Sequence, residues 1–255
     1  MENDDLKKKL KDSQNELGTE EIQELEKVEC LEVKNKLDKT VLGGIAVGLM
    51  LLFALMMVIN GYIFSYFSEG REGYYISIFT SDILFLCLIL IIKKLKRLEW
   101  SDLGWKPIKG NKIIIQIVRV WLLTWAINIA YLSYLTARGI KPPENELYTL
   151  VANPTVIVLL LNIIIMVVIA PIIEETIFRG FLLGGLRNYC GKWTAVIVSA
   201  MIFSALHMDI IGFFTRLVLG IALGYLYVKR ESIYSSMILH GLNNLFAVLV
   251  TSYFS

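Results

Sequence analysis

Charge is what this 255-residue sequence has least of, with 19% Asp, Glu, Lys and Arg against 56% hydrophobic residues and a mean hydropathy of +0.61. A soluble domain carries roughly 25% charged residues, so an ordinary soluble fold is excluded. Cysteine is equally sparse. Cys30, Cys87 and Cys190 lie far apart with no paired spacing, which gives neither a disulfide framework nor a zinc-ribbon site. No basic patch with interleaved aromatics accompanies the net charge of +2, so no nucleic-acid partner is expected. The zinc-protease signature HExxH is missing, and no serine or cysteine stands out as a nucleophile with a base at hand. No internal repeat supports an inverted-repeat transporter. The chain also lacks the short basic start of a cleavable signal peptide, so its first apolar span is expected to remain in the mature protein.

What is present is a series of long apolar runs, at about 41–66, 74–92, 112–137, 154–186, 193–208, 211–228 and 233–254. Each is long enough, or nearly so, for a hydrocarbon core of ~30 Å. The expected fold is all-α, a polytopic transmembrane helix bundle of about seven spans (seven to eight). It is expected to be a multi-pass integral membrane protein in the cell membrane of a prokaryote, with the lipid bilayer as a partner. Residues 1–39 mix both signs of charge with leucines at roughly helical spacing and read as a solvated, partly helical tail. The lysines and arginines concentrate in that tail, in 93–112 and in the loops near 187–192 and 229–230, leaving Arg71, Arg138 and Lys141 for the opposite side. That asymmetry predicts a cytoplasmic N-terminus. The segment 93–110, cationic but carrying Leu95, Leu98, Trp100, Leu103 and Trp105, predicts an interfacial helix. The chain thus divides into the tail, N-terminal spans over 40–137 and a C-terminal set of helices over 154–254.

The fourth run breaks its own pattern. Residues 154–173 are apolar almost throughout and lead straight into Glu174, Glu175 and Arg179. A charge deep in hydrocarbon costs at least ~2.5–3.5 kcal/mol, so such residues mark a functional site by default. Glu175 and Arg179, four apart with the carboxylate first, can neutralise each other. Glu174, rotated by about 100°, lacks that partner; a free carboxylate beside a paired one is what a general base needs. Pro171 is expected to kink this helix.

Both histidines of the chain fall within apolar runs. Phe203 and His207 are four apart, as are His240 and Asn244, so each pair is expected on one helical face. At ~1.5 Å per residue Glu174, His207 and Asn244 lie ~17–21 Å from the cytoplasmic helix ends and His240 ~11 Å, one layer in the membrane. Asp82, Arg119 and Arg216 also fall within spans, with no partner evident from spacing.

The set EETIFR (Glu174, Glu175, Arg179), FSALH (Phe203, His207) and HGLNN (His240, Asn244) resembles, in order, the three motifs of the CAAX-protease and bacteriocin-processing family of intramembrane endopeptidases. The resemblance covers roughly residues 154–250. It implies cleavage of peptide bonds in membrane-associated proteins or peptide precursors, with Glu174 and His207 activating water and His240 and Asn244 stabilising the oxyanion. Glu175, Arg179 and Phe203 would then be supporting residues, with no metal and no cofactor. Two histidines and a glutamate could instead hold zinc, although Asn244 beside His240 suits an oxyanion better. Other readings left open by the residues are a non-catalytic membrane scaffold or bacteriocin-immunity protein and, from the charges inside spans, an ion-coupled transporter.

Overall fold

In a computed structural model, residues 71–95, 97–108, 110, 112–140, 151 and 154–254 are described, with six isolated positions between 55 and 66. All lie in one compact unit, Val41–Ser255. The tail and nearly all of the first expected span, 41–66, fall outside the described residues. Those described are helical with no strand among them.

Six helices follow in order: α1 Arg71–Leu95, α2 Ile113–Ala137, α3 Val156–Cys190, α4 Lys192–Ala205, α5 Ile210–Arg230 and α6 Ile233–Phe254. Local sequence sets their ends. Thr155 caps α3 by accepting from the Val158 amide, and Asp209 caps α5 by accepting from Gly212 at 3.0 Å. Such side-chain oxygens satisfy amides that have no partner inside the helix. Lys93 and Lys94 occupy the last turn of α1, where cations complement the helix dipole.

Of the described helices, α1, α2, α3, α5 and α6 are long and apolar enough to cross a membrane. Large apolar side chains on their outer faces, such as Ile114, Leu123 and Ile157, are more than half exposed, as a lipid-facing surface requires. The chain is therefore an all-α, multi-pass integral membrane protein. The run at 193–208 departs from expectation. Its helix α4 has only 14 residues and at ~1.5 Å per residue reaches ~21 Å, short of a full crossing. Leu206 to Asp209 turn the chain directly into α5, with Met208 at φ 52°.

Packing of α4 on α5 depends on two glycines. A Cβ at Gly220 would meet Ala200 Cβ at 2.9 Å, and one at Gly224 would meet Val196 Cγ1 at 2.9 Å. The absent side chains let the two backbones approach closely.

The interfacial helix expected over 93–110 is also corrected. After Leu95 the chain forms turns, with Arg97 at φ 51° and Gly104 at φ 83°. Leu98 and Leu103 are drawn into a core with Ile89, Ile92, Ile173, Ile177 and Phe178. The Ile233 amide donates to the Gly104 carbonyl at 2.8 Å and Ser232 donates to the Lys106 carbonyl. Burial of these leucines and those hydrogen bonds fasten the turns to the start of α6, so no amphipathic helix forms.

Candidate active site

Helix α3 carries the first group of polar residues, and its backbone is unusual. Ile163–Ile169 and Thr176–Leu183 are π-helical, flanking a short α-helical piece, Ala170–Glu175. π-helical turns are rare and concentrate at functional sites. Pro171 explains part of the pattern. The Ala170 amide bonds to Ile165 O in π register, and the next such bond would run from residue 171 to Met166 O. Proline has no amide hydrogen to give. The Asn244 side chain of α6 supplies it instead, its Nδ2 donating to Met166 O at 2.8 Å. The hydrogen bond that Pro171 cannot make is thus supplied by a side chain from another helix.

Glu175 and Arg179 are buried and paired, with Arg179 Nε 3.1 Å from Glu175 Oε2. The angle is poor for a hydrogen bond, so the contact is mainly Coulombic. Arg179 Nη2 also donates to Gly220 O at 3.3 Å, and the guanidinium lies 4.9 Å over the Phe203 ring. These contacts compensate a cation at this depth. Phe203 further stands edge-on to Phe178, His207 and His240. Its ring joins the three motifs as packing.

The other oxygen of Glu175, Oε1, lies 2.9 Å from His240 Nδ1. A carboxylate in this place makes Nδ1 the protonated nitrogen and fixes the ring, leaving Nε2 to face Glu174 at 3.8 Å. Glu174 differs from its neighbour. It is partly exposed, its Oε2 accepts no hydrogen bond, and Arg179 acts on it only through a longer-range Coulombic attraction.

His207 lies beyond the end of α4, not on a helical face with Phe203 as the spacing predicted. Its Nδ1 is 2.9 Å from the Phe203 carbonyl. A carbonyl only accepts, so Nδ1 carries hydrogen and the neutral ring presents a lone pair at Nε2. The imidazole is within Coulombic range of Glu174, His240 and Arg216. Arg216 itself pairs with Asp209 at 2.9 Å. Sequence reading left Arg216 without a partner because Asp209 falls in the gap between two apolar runs, outside the span that carries Arg216. Arg119 is exposed on α2, and nothing in the structure explains its depth in the run.

The three motifs therefore converge: a free carboxylate, an imidazole with an available lone pair, a second imidazole oriented by a buried ion pair, and an asparagine amide. Such a set can take a proton from water and donate to a developing negative charge. Among the described residues, no three His, Cys, Asp or Glu side chains are grouped to hold a metal ion.

Comparison with known proteins falls on the same helices. Residues 156–246, from α3 into α6, match the family described as type II CAAX prenyl endopeptidase Rce1-like. This match falls on the segment that carries the three motifs resembling the CAAX-protease and bacteriocin-processing family. It supports peptide-bond hydrolysis at a membrane as the class of chemistry. Bacillus subtilis (strain 168) has a similar protein named "Putative membrane peptidase YdiL", 25% identical over 170 residues, or 64% of this chain and 67% of that one. From Lactococcus lactis, the UPF0177 protein YbdI is 33% identical over 87 residues, covering 34% of this chain and 46% of its own length. The UPF0177 protein YaiF of the same species is 26% identical over 180 residues, 66% of this chain and 75% of its own. No solved structure matches the chain. The family match begins at the start of α3, so α1 and α2 lie outside it.

Proposed function

We propose that the protein is a glutamate-type intramembrane endopeptidase that works without a metal ion and cleaves membrane-associated proteins or peptide precursors. The observation that carries this reading is the unequal fate of two adjacent glutamates. Glu175 is occupied by Arg179 at 3.1 Å and His240 at 2.9 Å, while Glu174 Oε2 has no hydrogen-bond donor.

In the proposed reaction a water bridges Glu174 and His207 Nε2. Glu174 takes its proton as the oxygen attacks the substrate carbonyl. The charge formed on the carbonyl oxygen is met by the His240 imidazole, held in place by Glu175, and by the Asn244 N–H not engaged with Met166. Glu174 then passes its proton to the leaving nitrogen as the C–N bond breaks. Water, peptide and two products balance with no other reactant. A cytoplasmic N-terminus would place the site within reach of that compartment.

The test is cleavage of a peptide library, in detergent or bilayers, by purified wild type, Glu174→Gln and His207→Ala. Cleavage by wild type, lost with Glu174→Gln, is the expected result. Equal inactivity of all three across many substrates would leave a non-catalytic scaffold or immunity protein.

A further inference from the structure

The turn that carries His207 is closed by a pair of charges that the proposed reaction does not use. Asp209 and Arg216 stand on either side of Gly212 in the chain, with Arg216 Nη1 donating to Asp209 Oδ2 at 2.9 Å. The other carboxylate oxygen, Oδ1, accepts from the Gly212 amide at 3.0 Å. Both oxygens of Asp209 are thereby engaged with the start of α5. Gly212 leaves the room this needs, since a Cβ there would collide with Asp209 Oδ2 and Arg216 Nη1. The two charged groups meet only because the residue between them has no side chain.

What the pair holds is the connection from α4. The Leu206 and Met208 amides donate to the Ile202 and Ala205 carbonyls at 3.1 and 3.0 Å, and Met208 then turns the chain at φ 52°. A residue with a side chain keeps that left-handed conformation only where its surroundings impose it. Asp209 follows directly. Beyond it the first turn of α5 is fixed by two other helices. Ser204 of α4 donates to the Phe213 carbonyl, and Tyr131 of α2 donates to the Ile211 carbonyl at 3.1 Å, with its ring 4.6 Å from that of Phe214. His207 therefore sits on a short link with α4 at one end and the Asp209 clasp at the other. Its imidazole is held by the bond from Nδ1–H to the Phe203 carbonyl at 2.9 Å and by an edge contact with the Phe203 ring. Both contacts come from the residue one turn earlier, so the direction of Nε2 depends on how the backbone of the link is held.

We propose that Asp209 and Arg216 are positioning residues for His207: the clasp they close over Gly212 fixes the turn between α4 and α5 and so keeps His207 Nε2 directed at the water that Glu174 deprotonates. The proposal rests on the hydrolase reading for its kinetic consequence, but the positioning itself can be measured without activity.

The test compares purified wild type with Asp209→Asn and Gly212→Ala. Asparagine still caps α5 but offers Arg216 no charge, whereas alanine keeps both charges, favours the helix and pushes the pair apart. Both variants should lose kcat for peptide cleavage, by up to about 10²-fold as for a misplaced catalytic group, with KM nearly unchanged. The second readout, which needs no substrate, is the nitrogen NMR spectrum of isotope-labelled histidine. The chain has two histidines, and the signals missing from His207→Ala identify His207. In wild type its ring should show hydrogen fixed on Nδ1; in both variants the two tautomers should exchange, moving or broadening both ring nitrogens. A merely structural role would lower the yield of folded protein and leave kcat per folded molecule and the His207 signals in place, which overturns the proposal. Should Asp209→Asn fail to fold, Gly212→Ala, which removes neither charge, decides alone. Unmoved His207 signals in a folded variant overturn the proposal, and so does an unchanged kcat in an enzyme that depends on Glu174. Moved signals in a protein that cleaves nothing support the positioning and count against the hydrolase reading alone.

Discussion

Glu174 and Glu175 are identical side chains one residue apart, and their neighbours give them opposite properties. Replacing Glu175 with glutamine leaves the Arg179 guanidinium buried without its counter-charge, and breaking one side of a buried pair costs about 3–5 kcal/mol. Chemical or thermal unfolding of Glu175→Gln in detergent should show that loss, together with lower turnover. Glu174→Gln should unfold much like wild type, since its charged neighbour His240 Nε2 is no closer than 3.8 Å, and should cleave nothing. Asn244→Ala is expected to lose about 10²–10³ in turnover, as for one oxyanion donor, and also some stability, because Met166 O then has no donor. The pairing of Glu175 with Arg179 was legible from their spacing alone, because both lie on one continuous helix. The hydrogen bond from Asn244 to Met166 was not, because it depends on a π-helical register around Pro171 that apolar periodicity does not reveal.

At the scale of elements, α3 and the α4–α5 hairpin do most to shape the site. Pro171→Ala restores an amide to α3 and lets it compete with Asn244 for Met166 O. Thermal stability should hold or rise while kcat falls, a split that plain damage to folding would not give. Gly220→Val places a side chain where Ala200 lies 2.9 Å from a bare Cβ, and overpacking of this kind costs typically about 1–3 kcal/mol. The α4–α5 hairpin also marks where sequence reading overran. Hydropathy continues through Leu206, so the run looked long enough to cross, but Asp209 caps the next helix and ends the previous one early. His207 is consequently displayed on a turn, free to present its outer nitrogen. The cationic stretch 93–110 misled for a related reason, since Leu98 and Leu103 were read as lipid-facing when the bundle buries them.

Across the whole molecule, apolar composition identified a helical membrane protein, and the order of the three polar motifs identified the helices that the endopeptidase family model matches. What composition could not show is how α1 joins them. Its Ile89 and Ile92 fall outside those motifs, and only packing brings them against Ile173, Ile177 and Phe178 of α3. The central claim concerns the whole assembled site: Glu174, not a metal ion, activates water. The direct measurement is turnover of a cleavable peptide by exhaustively chelated wild type and Glu174→Gln, with elemental analysis of the same samples. Full wild-type turnover in metal-free protein, absent in Glu174→Gln, is the predicted result. Stoichiometric zinc whose removal abolishes cleavage and whose return restores it would contradict the account.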